Sequence, residues 1–232
     1  GLAGYTHDLY RLRETKDLVN LLPSVTATTR RSDFVAHAHL AAAYAEAGQW
    51  GDAQDRQLNA LKTCDFPKKF GKLTSEQLLW YRKLERDYYL YWLRNRHTKP
   101  ATDTKEILTV DPLFPAPKGL ADHPDPVRYA TDDGTYRAGA IAESEKKKLP
   151  PDALAVVQQM MLWHPHDDRL YWLLGELYNV EGDIETAYYI LDDCYSNRGH
   201  PQPNHGPHRG RRRSNLRSAR VSTEETRHAE KG

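Results

Sequence analysis

Cysteines, long apolar runs and enzyme motifs are all scarce in this sequence. Its two cysteines, Cys64 and Cys194, are too few for a disulfide framework, and neither forms the CxxC pair typical of zinc or redox sites. No stretch approaches the roughly 18 consecutive apolar residues of a membrane-spanning helix. GxSxG, HExxH, phosphate-loop and GxGxxG motifs do not occur. The sequence therefore predicts no catalytic residue, no cofactor and no membrane span.

The chain also lacks a large net charge of either sign, because 33 Lys and Arg balance 32 Asp and Glu in 232 residues. The two signs are unevenly placed. Residues 196–232 hold nine Lys or Arg and three Asp or Glu, a net charge of +6, which leaves −5 for residues 1–195. The tail at 198–232 has almost no large apolar side chain to offset the entropy of ordering. We expect an acidic folded body with a disordered basic tail.

Eleven histidines raise the question of a metal site. His37 and His39 are two residues apart on a predicted helix and face different directions, so they cannot chelate one ion together. His164 and His166 lie at a predicted helix end, where solvated turn residues are the favoured interpretation. The histidines of the tail would hold a metal only weakly without a folded frame. We predict no metal site.

Helical periodicity dominates the first hundred residues. A short helix is predicted near 13–22, stopped by Pro23. Residues 34–62 divide at Gly48 into two helices, the second capped by Asp52. Residues 74–96 are predicted to form one long helix with Thr74 or Ser75 as its cap. One side of this helix carries a stripe that favours packing on a neighbouring helix, namely Leu78, Tyr81, Leu84, Tyr88, Tyr91 and Trp92.

The middle of the chain breaks the helical pattern. Six prolines between 97 and 126 exclude a regular helix and indicate an ordered linker or a loop draped on the solenoid. Residues 127–139 alternate around Asp133-Gly134, which predicts a short β-hairpin. Asp132 and Asp133 are better explained by turn chemistry than by metal binding or catalysis. Helical periodicity returns after Pro151 and continues to about Asn197.

Two distant segments share one pattern. Leu40, Ala41, Tyr44 and Ala53 recur in the same register as Leu174, Gly175, Tyr178 and Ala187. Ala153, Val157, Met160 and Pro165 fit the second helix of the same pattern, 34 residues before Ala187, Leu191, Cys194 and Gly199. This pattern resembles the tetratricopeptide repeat, a 34-residue helix-turn-helix unit. Departures also occur: Gln57 stands where the pattern has a large apolar residue, and Ala41 and Gly175 are 134 residues apart, two short of four repeats.

The resemblance covers residues 34–67 and 152–197 and implies an all-α fold, an α-solenoid of stacked helical hairpins. It divides the chain into an N-terminal helical region (1–97) with one repeat (34–67) and the long helix (74–96), a Pro-rich linker with the hairpin (98–139), C-terminal repeat-like helices (140–197) and the basic tail (198–232). Small residues at 41, 53, 175 and 187 would let neighbouring helices nest.

The resemblance also implies where a partner would bind. Family members hold peptides or protein segments in a concave groove lined by the first helix of each repeat. The corresponding positions here are Val35, Ala38, Ala42 and Ala45 in the first repeat, and Arg169, Trp172, Glu176 and Asn179 in the last. The alanines argue against the Lys/Asn clamp for a C-terminal carboxylate found in some members, and they suit close approach of a helix or an extended backbone. Trp172 is either an aromatic anchor for the partner or a packing residue between repeats.

We therefore expect a non-catalytic scaffold that holds another protein. The alternative is a nucleic-acid- or anion-binding adaptor acting through the tail, whose arginines attract phosphate without sequence preference. These are Arg209, Arg211, Arg212, Arg213, Arg217 and Arg220, and no aromatic residue is interleaved for base stacking. The chain begins at Gly1 rather than Met, so a removed signal segment fits, and both cytoplasm and periplasm stay open.

Overall fold

The computed structural model describes residues 20, 33–98, 110–119, 122 and 124–198. In these residues the chain is all-α and contains no strand. The helices are α1 (Phe34–Glu46), α2 (Trp50–Thr63), α3 (Ser75–Lys83), a π-helical segment (Leu84–Tyr89), α4 (Leu90–Thr98), α5 (Glu143–Lys146), α6 (Ala153–Trp163), α7 (Asp168–Glu181) and α8 (Ile184–Ser196). None of them combines the length and apolar character that crossing a bilayer requires. The helix predicted near 13–22 lies outside the described residues except for Asn20, as does the tail after Arg198.

The first two helices form a tight pair joined by residues 47–49. Asp33 starts α1, because its carboxylate accepts a hydrogen bond from the backbone N–H of Ala36 at 3.1 Å. The prediction that Asp52 caps the second helix is wrong. α2 begins two residues earlier, at Trp50, with Gln49 in the cap position and no side-chain cap. Asp52 instead lies in the first turn, where a negative charge suits the positive end of the helix dipole.

The long helix predicted at 74–96 is confirmed as a continuous helical stretch from Ser75 to Thr98. Thr74 and Gln77 form a capping box: Thr74 Oγ1 accepts from the backbone of Gln77 at 3.2 Å, and Gln77 Oε1 accepts from the backbone of Thr74 at 2.8 Å. The stretch is not uniform, because Leu84–Tyr89 is π-helical. This wider turn rotates the following side chains relative to a regular helix.

The longer helices pack in a series that follows their order in the chain. α1 packs on α2, and α2 packs on α4. The π-helical segment contacts α6, α6 packs on α7, and α7 packs on α8. At the start of α6, Asp152 accepts a hydrogen bond from Trp80 Nε1 at 2.8 Å and thereby ties α3 to it. The long helical stretch, which ends at Thr98, and α6, which begins at Ala153, are separated in the chain by residues 99–152. We call residues 99–152 the inserted segment.

The described part of the inserted segment contributes side chains to the core. Leu113 and Phe114 are fully buried, and the Phe114 ring meets Tyr88 edge-on with centroids 5.7 Å apart. The buried Asp111 accepts a hydrogen bond from Arg96 Nη2 at 2.6 Å. These contacts hold this part of the inserted segment against the π-helical segment and α4.

The β-hairpin predicted at 127–139 is not confirmed, since this stretch contains turns but no strand. Its backbone hydrogen bonds close turns, such as Thr131 N–H to the carbonyl of Thr135 at 2.9 Å, and the N–H of Val127 donates outside the stretch to the carbonyl of Phe114 at 3.0 Å. Asp133 does shape a turn, because its Oδ1 accepts from the backbone N–H of Thr135 at 3.0 Å. One isolated bridge, Arg137 to Ala140, is all the β-pairing in this part of the structure.

The predicted boundary of the tail also needs a correction. Arg198, its first residue, is bound to the body by Nη1–Asp168 Oδ1 and Nε–Asp193 Oδ2 contacts of 2.6 and 3.1 Å. Its guanidinium stacks over the ring of Tyr171 at 4.1 Å from the centroid. These contacts link the end of α8 to α7.

Candidate peptide-binding groove

An open groove with a volume of about 620 Å³ runs along α1. Its walls come from α1, residues 66–73, the helical stretch from α3 to the π-helical segment, and α6. This lies within the roughly 300–1,000 Å³ typical of ligand sites. We call it the α1 groove.

Small side chains make up half of the wall that α1 forms, and Phe34, His39 and Glu46 also line it. Val35, Ala38 and Ala42, three of the positions expected to face a groove, line it. The fourth, Ala45, is buried in the core and is not part of the wall. Because alanines extend little beyond the backbone, a guest can approach the α1 main chain closely.

The opposite wall is aromatic. Tyr81, Tyr89 and Trp163 line it, and the ring of Trp163 lies 5.4 Å from Tyr89 and 6.5 Å from Tyr81, measured between centroids. The Tyr81 hydroxyl donates to Gln159 Oε1 at 2.9 Å, which fixes this wall to α6. Two large apolar side chains lie exposed at the groove, Leu162 (74%) and Phe70 (40%). Large apolar groups left in water at one place are typical of an interaction surface.

A carboxylate lies inside this apolar surface. Glu85, in the π-helical segment, lines the groove, and its Oε2 accepts a hydrogen bond from Gln57 Nε2 at 2.6 Å. Gln57 comes from α2 and is completely buried. Burial raises the pKa of Glu85 to about 7, and the Gln57 hydrogen bond opposes only part of that rise.

The far end of α1 meets a buried histidine. His164 stacks on Trp92 with ring centroids 4.3 Å apart, and its Nδ1 is 3.3 Å from Oε1 of Glu46, which also lines the groove. The interpretation of His164 as a solvated turn residue is therefore wrong, whereas its neighbour His166 is exposed. No cluster of three or more metal-ligating side chains occurs in the described residues.

The residues expected to face a partner in the last repeat are placed differently. Trp172, Glu176 and Asn179 are only 6%, 2% and 3% exposed, and Arg169 is half-buried. Trp172 donates from Nε1 to Glu176 Oε1 at 3.1 Å, and Asn179 Oδ1 accepts from the backbone N–H of Gly139 at 2.8 Å. These side chains contact this chain itself, which corrects the expectation that they line an open groove. The inserted segment reaches this face of α7.

The residues of the repeated pattern lie between paired helices. Leu40, Ala41 and Ala53 are buried in the first pair, and Ala187 is buried in the last. A Cβ on Gly175 would come within 2.7 Å of Leu191 Cδ2, so α7 and α8 approach closely there. Leu174, Tyr44 and Tyr178 are half-buried, and the Tyr178 hydroxyl accepts a hydrogen bond from Gln158 Nε2 at 2.9 Å. Close packing at small residues is what the pattern predicts for these positions.

Sequence reasoning missed Glu85 and its partner. A signal was present, because Glu85 is four residues from both Tyr81 and Tyr89 and therefore interrupts an aromatic row on one helical face. Gln57 was recognised only as a departure from the repeat pattern. The pair explains that departure: a buried amide replaces the apolar residue because it meets a carboxylate.

Comparison with protein-family models, with curated proteins and with solved structures finds no match to this chain. The fold and the site thus define an all-α protein with an apolar groove beside a row of alanines. The tetratricopeptide resemblance rests on this chain's own residues. The nucleic-acid alternative rests on arginines that lie outside the described part of the chain.

Proposed function

We propose that this chain is a non-catalytic helical-repeat scaffold of the tetratricopeptide type, and that it holds a segment of another protein in the α1 groove. The observation that carries the proposal is the pairing of an alanine wall with an aromatic wall whose apolar side chains remain in water. Covering such a surface with an apolar segment is favourable, by about 25 cal/mol for each Å² of apolar surface removed from water.

The order of helix packing supports the repeat part of this proposal. In this proposal the helices group into three successive pairs, α1 with α2, the long helical stretch with α6, and α7 with α8, and the middle pair meets at the π-helical segment. In this scheme the inserted segment separates the two helices of the middle pair. The distance of 134 residues between Ala41 and Gly175 then spans two repeats and an insertion, rather than an incomplete set of four repeats.

The side chains of the groove favour binding over catalysis. Its polar groups are His39, Glu46, Lys72, Tyr81, Glu85 and Gln159. In the described residues that line it, no serine, threonine or cysteine is present to act as a nucleophile beside a base. The Tyr81 hydroxyl and the Glu85 carboxylate are both engaged by amides, those of Gln159 and Gln57.

The experiment is site-specific cross-linking with a photoreactive amino acid in place of Leu162, on the groove rim. We expect it to capture one defined segment of a partner, identified by mass spectrometry in cells that produce the protein. A synthetic peptide of that segment should bind the purified chain. Ala38→Trp, which fills the groove, should abolish both the cross-link and the binding.

The matched control is Ala47→Trp, since Ala47 is exposed at the end of α1 and outside the groove. This variant should keep the cross-link and the peptide affinity of the unaltered chain. A cross-linked segment whose binding is the same in Ala38→Trp would contradict the proposal.

A further inference from the structure

Glu85 occupies a central position on the aromatic wall of the α1 groove. It lies one helical turn from Tyr81 on one side and one turn from Tyr89 on the other, and all three residues line the groove. A side chain that enters the groove beside the half-buried Tyr81 therefore meets the carboxylate.

No counter-ion accompanies this carboxylate. Among the described residues, no lysine, arginine or histidine forms an ion pair with Glu85, and its hydrogen bonds come from Gln57. The other groove carboxylate, Glu46, has an imidazole beside it, with its Oε1 3.3 Å from Nδ1 of His164. A partly buried carboxylate that lacks a cation is unfavourable, and an opposite charge brought by a ligand would stabilise it.

Hydrogen bonds from Gln57 hold Glu85 in place. The Gln57 amide is fully buried and reaches both Glu85 Oε2 and the Glu85 backbone carbonyl, at 2.6 and 3.4 Å. The same carbonyl accepts the N–H of Leu90, five residues on, within the π-helical segment. The amide therefore fixes one carboxylate oxygen and supports the wider turn that carries it. π-helical turns of this kind are frequent at functional sites.

We propose that Glu85 recognises a lysine or arginine side chain carried by an otherwise apolar partner segment, which rests on the function proposed above. The aliphatic stem of that side chain packs on the half-buried rings of Tyr81 and Trp163, which line the groove, and its cationic head reaches the carboxylate. Apolar residues on either side of it cover Leu162 and Phe70. The charge of the occupant is thus set by Glu85 and its shape by the alanine wall.

The experiment is selection of a phage-displayed library of random peptides, about twelve residues long, on the purified full chain. We expect enriched peptides to carry one Lys or Arg flanked by Leu, Phe or Trp. A selected peptide should bind Glu85→Gln about tenfold or more weakly, because the charge is lost while the hydrogen bond to Gln57 is kept. Its Lys→Met or Arg→Met version should not distinguish Glu85→Gln from the unaltered chain. Glu76→Gln, an exposed carboxylate of α3, is the matched control and should leave binding unchanged.

The affinity should also depend on pH, since a cation favours the ionised carboxylate. Binding of the cationic peptide should strengthen on the order of tenfold between pH 6 and pH 8, and Glu85→Gln should remove this dependence. Other titratable groups also face the groove, namely His39 and Glu46 on α1, Lys72 on the 66–73 loop, and Tyr81. Any pH dependence that they contribute would remain in Glu85→Gln.

The outcomes separate this inference from the proposed function. Peptides that need Ala38 but show no preference for a cation would overturn the role of Glu85 and leave the binding groove intact. Failure to enrich any peptide above an Ala38→Trp background would overturn both, as expected if residues 1–32 of this chain or a second copy already filled the groove.

Discussion

Arg96 in α4 holds the start of α7 through Asp167, with Nη2 2.7 Å from Oδ2 and 2.9 Å from Oδ1. Asp167 also caps α7, since its Oδ1 accepts the backbone N–H of Leu170 at 2.8 Å. Nη2 of the same arginine donates to the buried Asp111 of the inserted segment. Burial favours the neutral form of Asp167, but the nearby guanidinium outweighs it and keeps the pKa of this carboxyl below its usual range. One buried cation therefore joins three parts of the fold.

Arg96→Ala should destabilise the fold strongly, because it leaves the two carboxylates without their counter-ion. We expect a loss of about 3–5 kcal/mol in the free energy of unfolding, measured by urea denaturation. Arg86→Ala removes an exposed ion pair with the adjacent Asp87 and should cost no more than about 1 kcal/mol. Equal losses in the two variants would show that the buried network does not stabilise the fold.

Gly175→Ala tests the close approach of α7 and α8. The new Cβ would meet Leu191 Cδ2 at 2.7 Å and Ile190 Cγ2 at 3.0 Å, so the helices must separate or the side chains must shift. Overpacking of this kind typically costs about 1–3 kcal/mol, against a gain of up to about 1 kcal/mol in helix propensity. We expect net destabilisation in thermal unfolding. A Gly175→Ala, Leu191→Ala double variant should show favourable coupling between the two sites, and strict additivity would contradict the contact.

The titration of Glu85 should be visible in the stability of the unliganded protein. Its pKa is raised to about 7 in the fold, above the usual value of 4.5, so the folded state binds the proton more tightly than the unfolded state does. This contribution is fully present below about pH 4.5 and is lost as pH rises to about 7. The unaltered chain should therefore lose up to about 3 kcal/mol relative to Glu85→Gln across this window. Denaturation curves that keep a constant difference from pH 4.5 to 7 would refute the prediction.

Trp172→Ala should affect stability rather than partner binding. The indole packs against Ile190 and Cys194 and donates to the buried Glu176, which would lose this hydrogen bond. Removing a buried Trp costs about 3–5 kcal/mol, whereas Tyr189→Ala on the exposed face of α8 should change stability by about 0.5 kcal/mol or less. Weaker capture of the partner by a fully folded Trp172→Ala protein would restore the anchor interpretation.

The helices and their small packing residues could be predicted because their signals are local. Ala41, Ala53 and Gly175 mark close helix contacts through spacing alone, and Thr74 with Gln77 is a recognisable capping box. The alanine wall followed from the same register: Val35, Ala38 and Ala42 line the groove.

The features that escaped prediction depend on distant parts of the chain. The π-helical turn at Glu85 is supported by Gln57, 28 residues earlier. Trp172 and Asn179 are buried rather than exposed to solvent. Asn179 accepts a hydrogen bond from Gly139 of the inserted segment, and no local sequence pattern predicts where that segment packs. His164 is buried because Trp92 and Tyr89 provide rings on which it stacks. In each case the environment of a residue is set by long-range contacts.

The inserted segment has a consequence for the order in which the chain assembles. α1 and α2 need only a turn at 47–49 to meet, and α7 and α8 only a turn at Gly182 and Asp183, whereas the middle pair must first close a loop across residues 99–152. Closing a longer loop costs more chain entropy and slows folding, so the outer pairs should form early and the middle pair last. The α1 groove takes α1 and the long helical stretch from before the inserted segment, and Gln159, Leu162 and Trp163 of α6 from after it. It is therefore complete only once that late step has taken place.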